Sequence, residues 1–95
     1  MGSMAGIQFG VTFRAASSAA EFEQFVRRAE ELGFDVFAAP DHLGATGPFT
    51  ILAAAVAMSR TLRLRTYVLN AGFWNAALLA REVATLDLLS AGRAR

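Results

Sequence analysis

Phe34-Asp35-Val36-Phe37-Ala38-Ala39-Pro40-Asp41-His42 reads as a buried β-strand that ends in an acid and the only histidine of the chain. An apolar run stopped by proline and followed by charged residues is the pattern of the carboxyl end of a parallel strand. In α/β proteins that end carries the chemistry, because the loops there converge on one mouth. Helical patterns lie on both sides of the run, which places His42 where an active-site residue is expected. The residues alone leave a plainer role open, in which the imidazole caps the next helix or binds a carbonyl.

Working outward, the same alternation of strand and helix repeats. Ile7, Phe9, Val11 and Phe13 alternate with other residues and predict a first strand over 7–13. Ser18-Ala19-Ala20-Glu21 has the capping-box spacing, in which hydroxyl and carboxylate satisfy exposed backbone N–H groups reciprocally. The helix it opens gathers Phe22, Phe25, Val26, Ala29 and Leu32 on one face. Glu23, Gln24, Arg27, Arg28, Glu30 and Glu31 fall largely on the other, with Glu23 and Arg27 at a supportive i, i+4 spacing. Gly33 suits a left-handed C-terminal cap. Residues 34–39 make the second strand, and Phe49–Arg60 a short, alanine-rich helix. Leu62–Leu69 predicts a third strand. A last helix runs from about Asn75, its expected N-cap, to Leu89, with Leu79, Val83, Leu86 and Leu89 at helical spacing. Ser90-Ala91-Gly92 ends it. The fold class is therefore α/β: three consecutive βα units, which require parallel strands and right-handed crossovers.

Three such units make an unfinished object. A parallel sheet needs both faces covered, and three strands leave two open edges. A closed (β/α)₈ TIM barrel takes eight units and about 250 residues, against the 95 residues here. The chain reads as part of such a barrel, completed by further chain or by oligomerisation. Composition points the same way: 55% hydrophobic residues and a mean hydropathy of +0.40 exceed what so small a globule can hide. The expected partner is another copy, a homo-oligomer. The longest apolar stretch, Phe49–Met58, is far shorter than the roughly 20 residues of a membrane span. Residues 1–4 read as a cloning remnant and 5–95 as the barrel portion; no signal-peptide pattern leads the chain. Zero cysteines exclude a disulfide framework and thiolate chemistry, and a net charge of +1 without basic clusters gives no footprint for nucleic acid. Together these predict a cytoplasmic protein that binds neither nucleic acid nor membrane.

Four segments also carry a family resemblance. They are Ala29-Glu30-Glu31-Leu32-Gly33-Phe34-Asp35; Pro40-Asp41-His42-Leu43; Leu64-Arg65-Thr66-Tyr67-Val68-Leu69-Asn70; and Asn75 leading into Leu79 through Arg93, with its Leu86-Asp87-Leu88-Leu89-Ser90-Ala91-Gly92-Arg93 ending. In that order they resemble the amino-terminal part of the luciferase-like monooxygenase superfamily, in its coenzyme F420-dependent oxidoreductase branch. The resemblance spans nearly all of 7–93 but only about the first third of a chain of ordinary barrel length. Asn75-Ala76 stands where many relatives have Asn-Pro, a departure that weakens the helix start and removes no chemistry.

The resemblance implies a barrel that holds flavin mononucleotide (FMN) or F420 at the carboxyl ends of its strands, for hydride transfer or monooxygenation of a small molecule. It assigns His42 a catalytic place, in hydrogen bonding or proton transfer, and puts Asp41, Tyr67 and Asn70 against the cofactor. Backbone at Tyr67–Asn70 would meet the flavin ring, often through a non-proline cis peptide. Phe73 and Trp74 are the candidate substrate-binding residues. The residues themselves leave helix N-capping open for Asp41 and simple packing open for Phe73 and Trp74. Family members draw their phosphate contacts from later strands, so that anchor is expected to be absent here.

Other chemistries lack their residues. Gly44-Ala45-Thr46-Gly47-Pro48 has neither the spacing nor the lysine of a P-loop. One histidine and no cysteine leave no metal constellation, and no Gly-x-Ser-x-Gly elbow accompanies the adjacent Asp41 and His42. Three readings stand: a flavin- or F420-dependent oxidoreductase portion with little activity alone, a non-catalytic self-assembling module, and a small α/β enzyme using His42 as base.

Overall fold

Val36–Ala39, the second strand (β2), is buried along its whole length. Its neighbours follow from that burial, because each backbone N–H and C=O withdrawn from water needs a partner. In the computed structural model, which describes residues 6–94, β1 (Gly10–Thr12) pairs on one side and β3 (Arg63–Thr66) on the other. Both pairings are parallel, with Val36 opposite Gly10 and Arg63, and Ala38 opposite Thr12 and Arg65. Helices α1 (Ala19–Glu31), α2 (Pro48–Met58) and α3 (Ala76–Leu89) follow the three strands in turn. Each βα unit therefore lies beside the last, the winding of consecutive units in a (β/α)₈ barrel. The expected cloning remnant at residues 1–4 lies outside the described residues.

One face of the sheet meets the helices. Phe37 is fully buried there, ringed by Phe13, Phe22 and Phe25 at centroid distances of 6.1, 6.3 and 6.0 Å. Val26, Ala29, Leu52, Ala55, Leu62 and Leu64 continue the same core. The opposite face carries Gln8, Gly10, Thr12, Val36, Ala38, Arg65 and Tyr67 around a shallow cavity lined by β1, β2, β3 and the residues at their ends. In a closed barrel this is the lumen face.

Several expected elements prove shorter, for local reasons. The first strand was expected over 7–13, yet regular pairing covers only Gly10–Thr12. At its start the Phe9 N–H donates to the Asp35 carboxylate at 2.9 Å, and the Phe9 carbonyl accepts from both Asp35 and Val36. A side chain thus replaces the first rung. Phe13 is buried and Val11 half-buried, but Ile7 and Phe9 are exposed, because α1 covers only the later half of the strand. The third strand, expected to Leu69, is regular only to Thr66. The second helix ends at Met58 rather than Arg60, where the Ser59 hydroxyl donates back to the Ala55 carbonyl. A 3-10 turn at Ala71–Phe73, which the pattern did not foretell, precedes α3.

The caps follow the sequence closely, with one change of partner. Ser18 accepts from the Glu21 N–H at 3.1 Å, but the Glu21 carboxylate accepts from the Ser17 hydroxyl at 2.7 Å instead of closing the reciprocal box. Glu23 and Arg27 form their ion pair at 2.8 Å. Gly33, at φ +83°, closes α1 in a Schellman arrangement: its N–H reaches the Glu30 carbonyl and the Phe34 N–H reaches that of Ala29. Asn75 caps α3 through the N–H groups of Ala77 and Leu78. Of the expected apolar stripe of α3 only Leu86 is buried; Val83 and Leu89 are exposed, and so are Leu78 and Leu88. A stripe on an outer helix is covered only where a neighbour lies against it, and α2 lies along one flank alone.

Two side chains bind the amino ends of the strands. The Glu30 carboxylate accepts from the Arg60 N–H, the Thr61 N–H and the Thr61 hydroxyl, at 2.7 to 2.9 Å, and so holds the α2–β3 connection to α1. Arg93 donates to the carbonyls of Val56, Ser59, Leu62 and Ser90 and to the Ser59 hydroxyl, placing a cation at the carboxyl end of α2. Its own carbonyl accepts from the Leu64 N–H, and Ala94 bridges to Leu64 in parallel. The edge of β3, expected open, thus receives the first rung of a further parallel strand.

Glu30 makes acid stability testable. Partial burial opposes its charge, but the hydrogen bonds from Thr61, Arg60 and Leu62 outweigh it and hold its pKa below the ordinary 4.5. A depressed carboxylate pKa contributes stability that is present above the unfolded value and lost as pH falls through the folded one. Glu30→Gln is expected to lower stability at pH 7 by about 1 kcal/mol, after allowance for solvent screening. Its denaturation curve should converge on that of the parent in acid, once the carboxyl is protonated in the folded state; parallel curves at neutral and acid pH would refute the assignment.

Candidate functional site at the carboxyl ends of the strands

The loops that leave β1, β2 and β3 are tied to one another by hydrogen bonds. Thr46, after β2, donates both its N–H and its hydroxyl to the Arg14 carbonyl, after β1. The second tie is made by Asp41. Its carboxylate is buried, at 7% exposure, and its Oδ2 accepts from the Asn70 N–H at 2.9 Å and from the Trp74 indole N–H at 2.8 Å. The Asp41 N–H donates to the Val68 carbonyl at 3.3 Å. Asp41 therefore joins the ends of β2 and β3. It does not cap α2, whose N-cap is Gly47 with no side-chain bond and Pro48 at the first turn.

His42 follows this anchored acid and is itself exposed. Its Nδ1 lies 3.0 Å from the Leu43 carbonyl. A carbonyl only accepts, so Nδ1 carries the proton and neutral His42 presents Nε2 as a free acceptor. The plain role of binding a carbonyl and the chemical role of presenting a basic nitrogen are thus served by opposite sides of one ring.

The remaining predicted residues divide between two surfaces. Tyr67 is exposed and lines the helix-free face with Arg65, Thr12 and Ala38. The peptide bond between Tyr67 and Val68 is cis. Asn70 spends its Oδ1 on the Gly72 N–H at 3.2 Å, capping the 3-10 turn, and its side-chain NH₂ has no partner among the described residues. Phe73 is exposed beside a cleft of about 370 Å³, together with His42, Leu43, Thr46, Phe49 and Glu82. Trp74 also borders this cleft, but its ring stands edge-on to Phe49, with centroids 5.1 Å apart and planes at 90°, and its N–H is committed to Asp41. Asp41, His42, Phe73 and Trp74 are thus brought to one cleft, while Tyr67 lines the helix-free face and Asn70 lines neither, meeting Asp41 through its N–H.

Sequence reasoning missed Glu82, which lies half-buried at the cleft. It also missed the Thr46 tie, for which no local signal exists. Among the described residues no group of three or more His, Cys, Asp or Glu side chains is placed to hold a metal ion. No helix among them is long and apolar enough to cross a membrane.

Comparison with known proteins places this geometry. A sequence model of the family described as luciferase-like monooxygenase matches residues 1–95. A 5,10-methylenetetrahydromethanopterin reductase of Archaeoglobus fulgidus is 31% identical over 88 residues, 93% of this chain and 26% of its own length. That of Methanolobus tindarius is 28% identical over 86 residues, again 26% of its length. The chain therefore spans about a quarter of the curated relatives it matches. Among solved structures, monooxygenase RslO1 of Streptomyces bottropensis superposes on 93% of the chain, with a TM-score of 0.77, 34% identity and 31% of that chain covered. The coenzyme F420 dependent tetrahydromethanopterin reductase of Methanopyrus kandleri superposes with a TM-score of 0.83 over 93% of this chain and 25% of its own, at 24% identity, a likeness of fold.

The tautomer of His42 is directly measurable. In the neutral imidazole, long-range ¹H–¹⁵N correlation spectra are expected to show Nδ1 protonated and Nε2 bare. The opposite tautomer would remove the bond to Leu43 and the free acceptor with it.

Proposed function

Because the chain belongs to the luciferase-like monooxygenase family, we propose that it is an amino-terminal portion of a flavin- or F420-dependent oxidoreductase acting on a small molecule. The observation that carries this reading is the tie through Asp41, which sets His42 and the exposed Tyr67–Val68 segment at the ends of adjacent strands. FMN and F420 share a flat tricyclic ring whose edge carries carbonyl and N–H groups. The residues present fit such an edge: the side-chain NH₂ of Asn70, a Tyr67 hydroxyl and exposed backbone at Val68. When bound and reduced, either group would supply a hydride, and FMN would also supply the reaction with oxygen that monooxygenation needs.

The residues of this chain then have separable roles. Tyr67 and Asn70 hold the ring edge. Nε2 of His42, bare in the neutral tautomer, takes a proton from the substrate or, once protonated, returns one. Phe73 and Leu43 give the cleft an apolar border on which a substrate would rest. The anionic tail of either cofactor is held by later βα units, so the isolated chain has little or no turnover. The names of the relatives and structural neighbours support both a reductase and a monooxygenase outcome.

A second reading, a self-assembling module without catalysis, draws on the exposed Leu78, Val83, Leu88 and Leu89 of α3 and on β1 as an edge strand. Both readings make the chain associate with itself, so association alone does not separate them. Light scattering with absorbance detection, with and without added FMN or F420, does. A discrete assembly that co-elutes with the chromophore is the expected result; a colourless assembly would transfer support to the second reading, and a monodisperse monomer would overturn self-association itself.

A further inference from the structure

A buried carboxylate without a cation beside it is costly unless donors satisfy it. Asp41 finds both of its side-chain donors on the segment between β3 and α3, and both converge on one oxygen: the Asn70 N–H at 2.9 Å and the Trp74 indole N–H at 2.8 Å. Trp74 does more than fill space. A ring that served packing alone has no need to aim its N–H at a charge, whereas this one meets Asp41 at its nitrogen and Phe49, in the first turn of α2, at a ring edge. The Asp41 N–H closes the circuit on the Val68 carbonyl. His42 is the next residue in the chain and makes its only side-chain hydrogen bond, among the described residues, to its own neighbour Leu43. The other ties between these strand ends are main-chain, the ladder up to Ala39 opposite Thr66 and the Tyr67 N–H on the Ala39 carbonyl at 2.9 Å, and they stop two residues short of Asp41.

We infer that Trp74 and Asp41 are positioning residues, a strut that sets His42 in register with the end of β3, and that Trp74 is not a substrate-stacking residue. This rests on the proposed function for the identity of the ligand, but not for the strut. Aromatic stacking on a substrate requires a free face and tolerates any ring orientation. The strut requires one orientation, the one in which Nε1 points at the carboxylate. It follows that Trp74→Phe, which keeps an aromatic ring beside Phe49 but cannot donate to Asp41, loosens the strut and leaves the fold. Asp41→Asn keeps the shape and removes the charge that strengthens both bonds. Trp74 is also the single tryptophan of the chain, so its emission reports the strut without a label.

The test uses the chain as it stands, free and with FMN or F420 as probes, in parent, Trp74→Phe and Asp41→Asn forms. Amide exchange followed by NMR is expected to quicken at Asn70 by about tenfold in Asp41→Asn, with the Leu64 amide of the core unchanged. Emission in Asp41→Asn shifts to longer wavelength as the indole loses its partner. In Trp74→Phe the His42 ring resonances move and affinity for whichever probe the parent binds falls by about tenfold, while the melting midpoint holds. Equal affinity in parent and Trp74→Phe would overturn the strut, as would loss of stability in proportion to loss of binding, since that is what a merely structural tryptophan gives. If the parent binds neither probe, the proposed function fails for this chain and the strut is decided by Asn70 exchange and the His42 resonances alone: movement supports it, and no change in either overturns it. Should Asp41→Asn not fold, the His42 resonances of Trp74→Phe give the same decision.

Discussion

The structure depends on the complete burial of one short strand. With all four residues of β2 withdrawn from water, every peptide group along it must find a partner, and a strand on each side, here parallel in both cases, supplies it. Parallel neighbours in turn demand crossovers, and the crossovers are the helices that bury Phe37 from above. The central place of β2 in the sheet and the site of the aromatic cluster both follow from that requirement. The same strand leads directly into Asp41 and His42, so the element that organises the core also places the proposed site.

The two ends of the sheet are fastened differently. At the amino ends, Glu30 and Arg93 bind backbone groups of the α2–β3 connection, and their role is to hold helices against strands. At the carboxyl ends, Asp41 and Thr46 bind one loop to the next. The first kind of tie stabilises a layer, and the second positions exposed groups relative to each other. That division matches the general separation in barrels between a stabilising face and a reactive one.

Local signals were legible wherever the physics is local. Ser18, Gly33 and Asn75 cap their helices as their side chains and backbone freedom dictate, and Glu23 and Arg27 meet at their helical spacing. The alternation in 7–13 predicted the first strand but not that Ile7 and Phe9 stay exposed, because exposure depends on where α1 runs. The leucines of α3 announced a helix and a stripe, yet which of them is covered depends on neighbours that periodicity does not contain. At the site, the residue types were legible and their partners were not. Asp41 had the look of a helix cap; it bonds instead to groups 29 and 33 positions away, and no pattern in the intervening chain encodes that.

The sequence by itself determined the α/β class, the order of three βα units, the caps that bound the helices and the place of His42 at a strand's end. Each of these follows from hydrophobic period, side-chain chemistry and backbone freedom over a few residues. Only the tertiary structure decided which atoms Asp41 and Trp74 engage, which nitrogen of His42 is free, and how β3 comes to meet Ala94. Those outcomes turn on distances between segments remote in the chain, and such distances are set by how the layers pack, after the elements themselves have formed.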